Sequence, residues 1–235
     1  MVGPRGGAPG GMLSGDMVEG FLADLSPTET EALEAVARRR SYGANVTILH
    51  EGDDAGPVVV VLSGCVKVAS VSEAGREAIV AVRGAGDLLG ELAAIDGGRR
   101  STSVTTLEPV ELLLVARSDF LALLEQHPRI AVVVLRMVAS RLRYADAQQA
   151  QFATHDVVGR LARRLVELSE RFGETSEGAI EIDLPLSQDE LGSWIGASRE
   201  GVSKAFHTLR SLHIVETGRR HVTVLDVEAL SRHAR

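Results

Sequence analysis

Residues 187–210, SQDELGSWIGASREGVSKAFHTLR, read as two short helices joined by a sharp turn. Ser187 followed by Glu190 forms a capping box, in which each side chain satisfies a backbone N–H at a helix start. Leu191, Trp194 and Ile195 fall at i, i+3 and i+4 and give the first helix an apolar face. Gly196 interrupts the run where the chain must turn. Ser198 then caps a second helix, whose inner face is Val202, Phe206 and Leu209. Its first turns leave Arg199, Glu200, Ser203 and Lys204 outward. These types suit a DNA major groove: Arg or Lys donates to guanine O6/N7, Glu accepts from cytosine N4, and Ser touches phosphate.

An ordinary helical hairpin with a solvated polar face shares much of this pattern, so the residues downstream carry weight. Residues 213–226, HIVETGRRHVTVLD, read as two strands joined at Gly218, with Arg219, Arg220 and His221 in the turn. A reading helix with a basic hairpin after it is a winged helix, whose wing grips phosphates. Between positions 199 and 221 the basic residues are Arg199, Lys204, Arg210, Arg219 and Arg220, against Glu200 and Glu216. That local excess matters more to a sequence-specific reader than the overall charge of −7, which disfavours a non-specific nucleic-acid coat.

The 235 residues allow one large domain or two of ordinary size. Hydrophobic residues make up 45% but aromatics only 3%, so the core must be aliphatic. The single cysteine, Cys65, excludes an intrachain disulfide and a Cys-only zinc or iron–sulfur site, and reads as a small buried apolar residue. No apolar run is long enough to span a membrane. The start, MVGPRGGAPGG, has no apolar signal core and reads as a disordered Gly/Pro-rich tail over 1–20, with Met12 and Met17 as alternative starts. A cytoplasmic protein is expected.

Upstream, Ser26–Arg40 predicts an N-capped amphipathic helix with Leu33, Val36 and Ala37 inward. Residues 46–118 change to short β-rich runs separated by Gly-containing turns, which implies an antiparallel barrel or sandwich. A long helix comes next at about 129–153, in which Leu135, Val138, Leu142, Ala145, Gln149 and Phe152 repeat with coiled-coil spacing. This predicts a dimer seam, the alternative being a helix packed on its own domain. A further helix over 156–173 begins the DNA-binding part. The expected divisions are the tail at 1–20, a β-domain at 21–127, a dimerisation helix at 128–155 and a winged helix at 156–235.

A second constellation lies in residues 84–104, GAGDLLGELAAIDGGRRSTSV. A Gly-rich turn runs into Gly90-Glu91-Leu92-Ala93, and a second loop delivers Arg100-Ser101-Thr102. A guanidinium, two hydroxyls and a carboxylate could together hold an anion with adjacent hydroxyls. By composition alone a structural Glu–Arg pair is the commoner reading.

This stretch resembles the phosphate-binding cassette of cyclic-nucleotide-binding domains, approximately G-E-L-A-x(6)-R-[AS]-[AST]. The β-rich segment before it, the long helix, and the similarity of ASREGVSKAFHTLRSLHIV to a recognition helix match the layout of the Crp/Fnr family of regulators over about residues 20–230. The resemblance implies an α+β chain with an N-terminal antiparallel β-barrel of jelly-roll type, a dimerisation helix and a C-terminal winged helix-turn-helix. It implies that Arg100 and Ser101, with Thr102, take a cyclic phosphate and Glu91 the ribose 2′-OH. Gly90 and Leu92 would shape the space. It implies that Arg199 and Glu200 read base pairs and that Lys204 and Ser203 contact base or phosphate. Ser187, Gln188 and Ser198 would hold phosphates at helix starts.

The match departs from the family in one place. Members that bind cyclic AMP contact adenine through a Thr-Ser pair on the dimer helix, where this chain has Ala145 and Asp146. Alanine cannot hydrogen-bond the base, and an ionised Asp only accepts. The expectation is a cyclic nucleotide effector, cyclic AMP first, with cyclic GMP or a cyclic dinucleotide open and Asp146 facing the base. No metal, haem or iron–sulfur cluster is expected. Expected partners are a palindromic operator in double-stranded DNA, a second copy of the chain, and RNA polymerase. A regulator that binds DNA without ligand is the alternative. No nucleophile–base pair, Walker loop or HExxH motif suggests an enzyme.

Overall fold

The structure, a computed structural model, describes residues 20–72, 75, 77–176, 178–183, 186–218 and 220–234, with backbone only at 150–154. Most of the tail expected at 1–20, the Phe152 side chain and Arg219 lie outside the described residues. The first helix, α1 (Pro27–Val36), opens on the Ser26–Glu29 capping box with Pro27 at its first position.

The helix ends at Val36, four residues before the expected end at Arg40. Ala37–Tyr42 instead forms strand β1, whose residues Ala37–Tyr42 pair in register with Val115–Val110. Leu33 is buried as expected, while Val36 is exposed. The helical propensity of the ARRR run is overridden by a ladder of long-range strand pairs, as tertiary context routinely does.

Strands β2 (Thr47–Leu49), β3 (Val58–Ser63), β4 (Val66–Val71), β5 (Glu77–Arg83) and β6 (Leu88–Leu89) come next along the chain. Then come α2 (Glu91–Asp96), β7 (Ser103–Thr106) and β8 (Val110–Val115). They form two four-stranded antiparallel sheets of order β1-β8-β3-β6 and β2-β7-β4-β5. Val59, Val61 and Leu112 of the first sheet meet Leu49, Val66 and Val104 of the second in one aliphatic core, the expected jelly-roll arrangement. Cys65 is buried, and burial and then the charge of Glu108 push its thiol up to about 12, so it is inert packing.

Helix α3 (Arg117–Gln126) leads into α4 (Pro128–Thr154), which has two apolar faces. Ile130, Val133, Val134 and Met137 are buried on the first sheet's helical layer. Leu135 and Leu142 stay 67% and 63% exposed, and Val132 45%. Among the described residues no helix is long and apolar enough to cross a membrane.

The C-terminal part comprises α5 (Val157–Phe172), β9 (Glu174–Ser176), β10 (Ala179–Asp183), α6 (Gln188–Ile195) and α7 (Arg199–Ser211). It continues with β11 (Val215–Gly218), β12 (His221–Val224) and α8 (Val227–His233). Its sheet, β11-β12-β10-β9, contains two strands that the sequence reading did not include. Leu191, Trp194, Ile195, Val202, Phe206 and Leu209 are all buried in one core, as their spacing predicts. Gly196 takes φ 64°, the left-handed turn that ends α6 and that glycine adopts without strain.

This core does not stop at the domain boundary. Ala69, Ile79 and Val82 of the second sheet, with Cys65 just before β4, belong to the same cluster as the helix-turn-helix. Lys67 on β4 reaches Glu77 at 2.7 Å and the capping-box Glu190 at 2.9 Å. Strand β5 is the outer strand of its sheet, and Ser193 of α6 covers that edge. Its hydroxyl accepts from the Ile79 N–H (3.2 Å) and donates to the Glu77 carbonyl (2.5 Å).

Candidate effector cavity and DNA-reading face

A cavity of about 220 Å³ opens between the second sheet, α2 and α4. The turn at Gly90, the start of α2 and the loop before β7 bring Gly90, Glu91, Leu92, Arg100, Ser101 and Thr102 to its wall, so the two halves of the cassette meet. Gly90 is left-handed at φ 79°, and a Cβ there would collide with Arg100 Nη1. The glycine therefore makes room for the arginine before any ligand.

Arg100 is buried and already engaged. Its Nη1 donates to the Gly90 carbonyl (2.9 Å) and its Nη2 to the Pro57 carbonyl (2.6 Å). Burial lowers its pKa, partly offset by Asp53 and Glu91, and guanidinium remains charged at any ordinary pH. Glu91 is buried too and accepts from Arg141 Nη1 at 2.8 Å. Arg141 also donates to the Leu88 carbonyl at 2.9 Å.

Arg141, with Tyr144, Ala145 and Gln148, forms the α4 wall. The sequence reading missed Arg141, Tyr144 and Gln148, although their i, i+3, i+7 spacing around Ala145 is the available signal: one helical stripe faces one cavity. Arg83, at the end of β5, also lines the cavity, and nothing local in the sequence marks it. Asp146 is placed otherwise than expected. It is exposed on α4 and absent from this cavity's wall, because it sits one residue, about 100° of helix, beyond Ala145.

The wall leads toward the reading head. The Tyr144 hydroxyl donates to Glu167 Oε2 of α5 at 2.6 Å. Arg164 of α5 hydrogen-bonds both the Tyr144 oxygen and that same carboxylate. Its guanidinium lies 4.8 Å from the ring centroid of Trp194 in α6, within cation–π range. Burial, then the charge of Glu167, raises the Tyr144 phenol far above its usual range, so it stays a donor.

On the opposite functional face, Ser198 caps α7 by accepting from the Gly201 N–H (3.1 Å). Arg199, Glu200, Ser203 and Lys204 are all exposed on its outer side. Arg199 makes only a 3.9 Å ion pair with Asp189, both side chains 70% exposed. A cleft of about 110 Å³ between α6, α7 and the wing is lined by Gln188, Ser203, Arg210 and Arg220, so three of the expected contacts share one groove. Arg210 donates to Thr217 Oγ1 at 2.8 Å and ties α7 to the wing. Ser187 is exposed, but its hydroxyl is held by Glu190 in the capping box. The wing turn lies between Gly218 and His221, as expected, with His221 itself in the strand that follows. Gly218 closes β11, His221 opens β12, and Arg220 carries the left-handed φ of 57°.

Comparison with known proteins agrees with both halves. Residues 39–127 match the cyclic nucleotide-binding domain, and residues 159–233 match the Crp-like helix-turn-helix domain. The chain is 31% identical over 216 residues to the CRP-like cAMP-activated global transcriptional regulator of Mycobacterium tuberculosis, covering 92% of this chain and 96% of that protein. It is 30% identical over 210 residues to the cyclic AMP receptor protein of Thermus thermophilus, covering 89% and 94%. The fold is similar to that of FixK2 from Bradyrhizobium japonicum, with a TM-score of 0.76 at 24% identity over 85% of this chain and 98% of that one. On its two domains, their order and their full-length relatives, the chain belongs to the Crp/Fnr family of DNA-binding transcriptional regulators.

Proposed function

We infer that this regulator works in the cytoplasm as a homodimer whose grip on a palindromic operator is set by a cyclic nucleotide held beneath α4. The observation that carries this reading is the connection from Tyr144 in the cavity wall through Glu167 and Arg164 to Trp194 of the helix-turn-helix. A ligand that moves α4 favours one placement of α5 and α6 over another, which is all that a population shift requires. The exposed Leu135 and Leu142 support pairing of two α4 helices at residues 128–155. The paired reading helices would then reach successive major grooves about 34 Å apart.

Within the effector domain at 21–127, Arg100, Ser101 and Thr102 would take the phosphate and Glu91 with Arg141 the ribose. Asp146, on the exposed side of α4, could reach a base only in the partner's cavity. In the winged helix at 156–235, Arg199, Glu200, Ser203 and Lys204 would face base edges, with Ser187, Gln188, Ser198, Arg219 and Arg220 on phosphates. RNA polymerase is the expected downstream partner.

One observation favours a second reading, DNA binding without ligand: the Glu91 and Arg100 charges already have partners inside the chain. Titrating a palindromic operator with the full-length protein, alone and with cyclic AMP, cyclic GMP or a cyclic dinucleotide, separates the two. Tighter binding with one nucleotide supports the gated regulator and identifies its signal. Equal, tight binding in every arm makes the cavity a structural remnant.

A further inference from the structure

Arg83 is the arginine of the cavity wall with the fewest hydrogen bonds among the described residues. Arg100 has two carbonyls and Arg141 has Glu91. Arg83 has, among the described residues, a single long hydrogen bond to the carbonyl of its neighbour Val82, at 3.3 Å, and no carboxylate within ion-pair distance. The nearby acids are committed elsewhere: Asp87 to Arg171 and the Gly84 N–H, Glu167 to Arg164 and Tyr144. Burial and then the like charge of Arg141 depress the Arg83 pKa, against the opposing pull of Asp87 and Glu167.

Its station differs from that of the phosphate-binding arginine. Arg83 enters the cavity from the end of β5, whereas Arg100 comes from the loop before β7. With phosphate on Arg100 and ribose on Glu91 and Arg141, the base is left the remaining wall, which Arg83 shares with Val80, Ala81, Ala145 and Gln148. There Ala145 offers no hydrogen bond.

The geometry points to Arg83 as the residue that makes this cavity select guanine, its guanidinium fork taking the O6/N7 edge of the base. Guanine presents two adjacent acceptors there, which match the fork. Adenine puts its N6 amino donors beside N7 and meets the cation with hydrogens. This rests on the cyclic-nucleotide reading above and adds to it the base and the residue that chooses it.

The test is calorimetric titration of the full-length protein and of Arg83→Leu and Arg83→Gln with cyclic GMP and cyclic AMP. The unaltered protein is expected to bind cyclic GMP at least about tenfold tighter, the scale of one bidentate arginine–guanine pair. Arg83→Leu should bring the two nucleotides within about twofold, through loss of cyclic GMP affinity. Arg83→Gln, whose amide matches adenine N6/N7, should lean toward cyclic AMP and covers the case in which the leucine variant folds poorly. A preference for cyclic AMP in the unaltered protein, or a guanine preference that survives both substitutions, overturns the assignment while leaving the effector cavity standing. Failure of both nucleotides to bind the unaltered protein overturns the assignment, and failure of a cyclic dinucleotide as well overturns the cyclic-nucleotide reading with it.

Discussion

The cavity under α4 and the outer face of α7 both carry arginine, and they keep it in opposite states. In the cavity, Arg100 and Arg141 are wired to carbonyls and to Glu91, so a ligand must replace partners that already exist. On α7, Arg199 and Lys204 project into water, and DNA has to displace little beyond water, counterions and the loose 3.9 Å pair of Arg199 with Asp189. One region is part of the fold that holds it. The other is carried by the fold without contributing to it.

The largest test of that difference is Arg100→Ala. It should remove two hydrogen bonds, to the carbonyls of half-buried Gly90 and exposed Pro57, at a total cost of about 1–3 kcal/mol, and remove the phosphate-binding fork as well. Urea unfolding and nucleotide titration should therefore both fall. Unchanged stability would show that the arginine is held for ligand alone. Next comes Arg199→Ala, expected to weaken a cognate operator by about 1–3 kcal/mol, with less effect on random DNA and an unchanged unfolding midpoint. A loss of stability there would erase the contrast, and equal losses on both DNAs would assign Arg199 to phosphate.

The smallest effect concerns the joint between the regions. Lys67→Met removes the cation shared by Glu77 and Glu190 and should destabilise the chain by about 1 kcal/mol. The increment should also depend on pH. Burial alone would raise the Glu190 carboxyl, but hydrogen bonds from Lys67 and Ser187 outweigh it and hold it below its ordinary value. Its contribution is therefore present above the usual carboxylate range, about pH 4.3, and lost as pH falls through the lower folded value. Urea midpoints of the two proteins should converge in acid. A gap that persists there would mean that Lys67 stabilises by packing.

What could be read from the sequence was local. The Ser187–Glu190 box, the spacing of Val202, Phe206 and Leu209, the turn at Gly196 and the two halves of the cassette each lie within a few turns of chain, and each falls where its pattern predicts. What could not be read was assembled over distance. The arginines of 38–40 look helical until β8 pairs with them from more than seventy residues away. Arg83 and Arg141 come to one cavity from a strand end and a distant helix, and Lys67 meets Glu190 across 123 positions. Asp146 follows Ala145 in sequence, yet one residue of helix turns it away from the cavity, which no local pattern marks.

The serine that covers the edge of β5 also supplies a clock. The Ile79 amide hydrogen points away from its own sheet and is held by Ser193 of the reading domain. Its exchange with solvent deuterium is therefore set by how often that domain lifts away. A single backbone proton, tracked by hydrogen-exchange NMR, would count excursions of the whole winged helix.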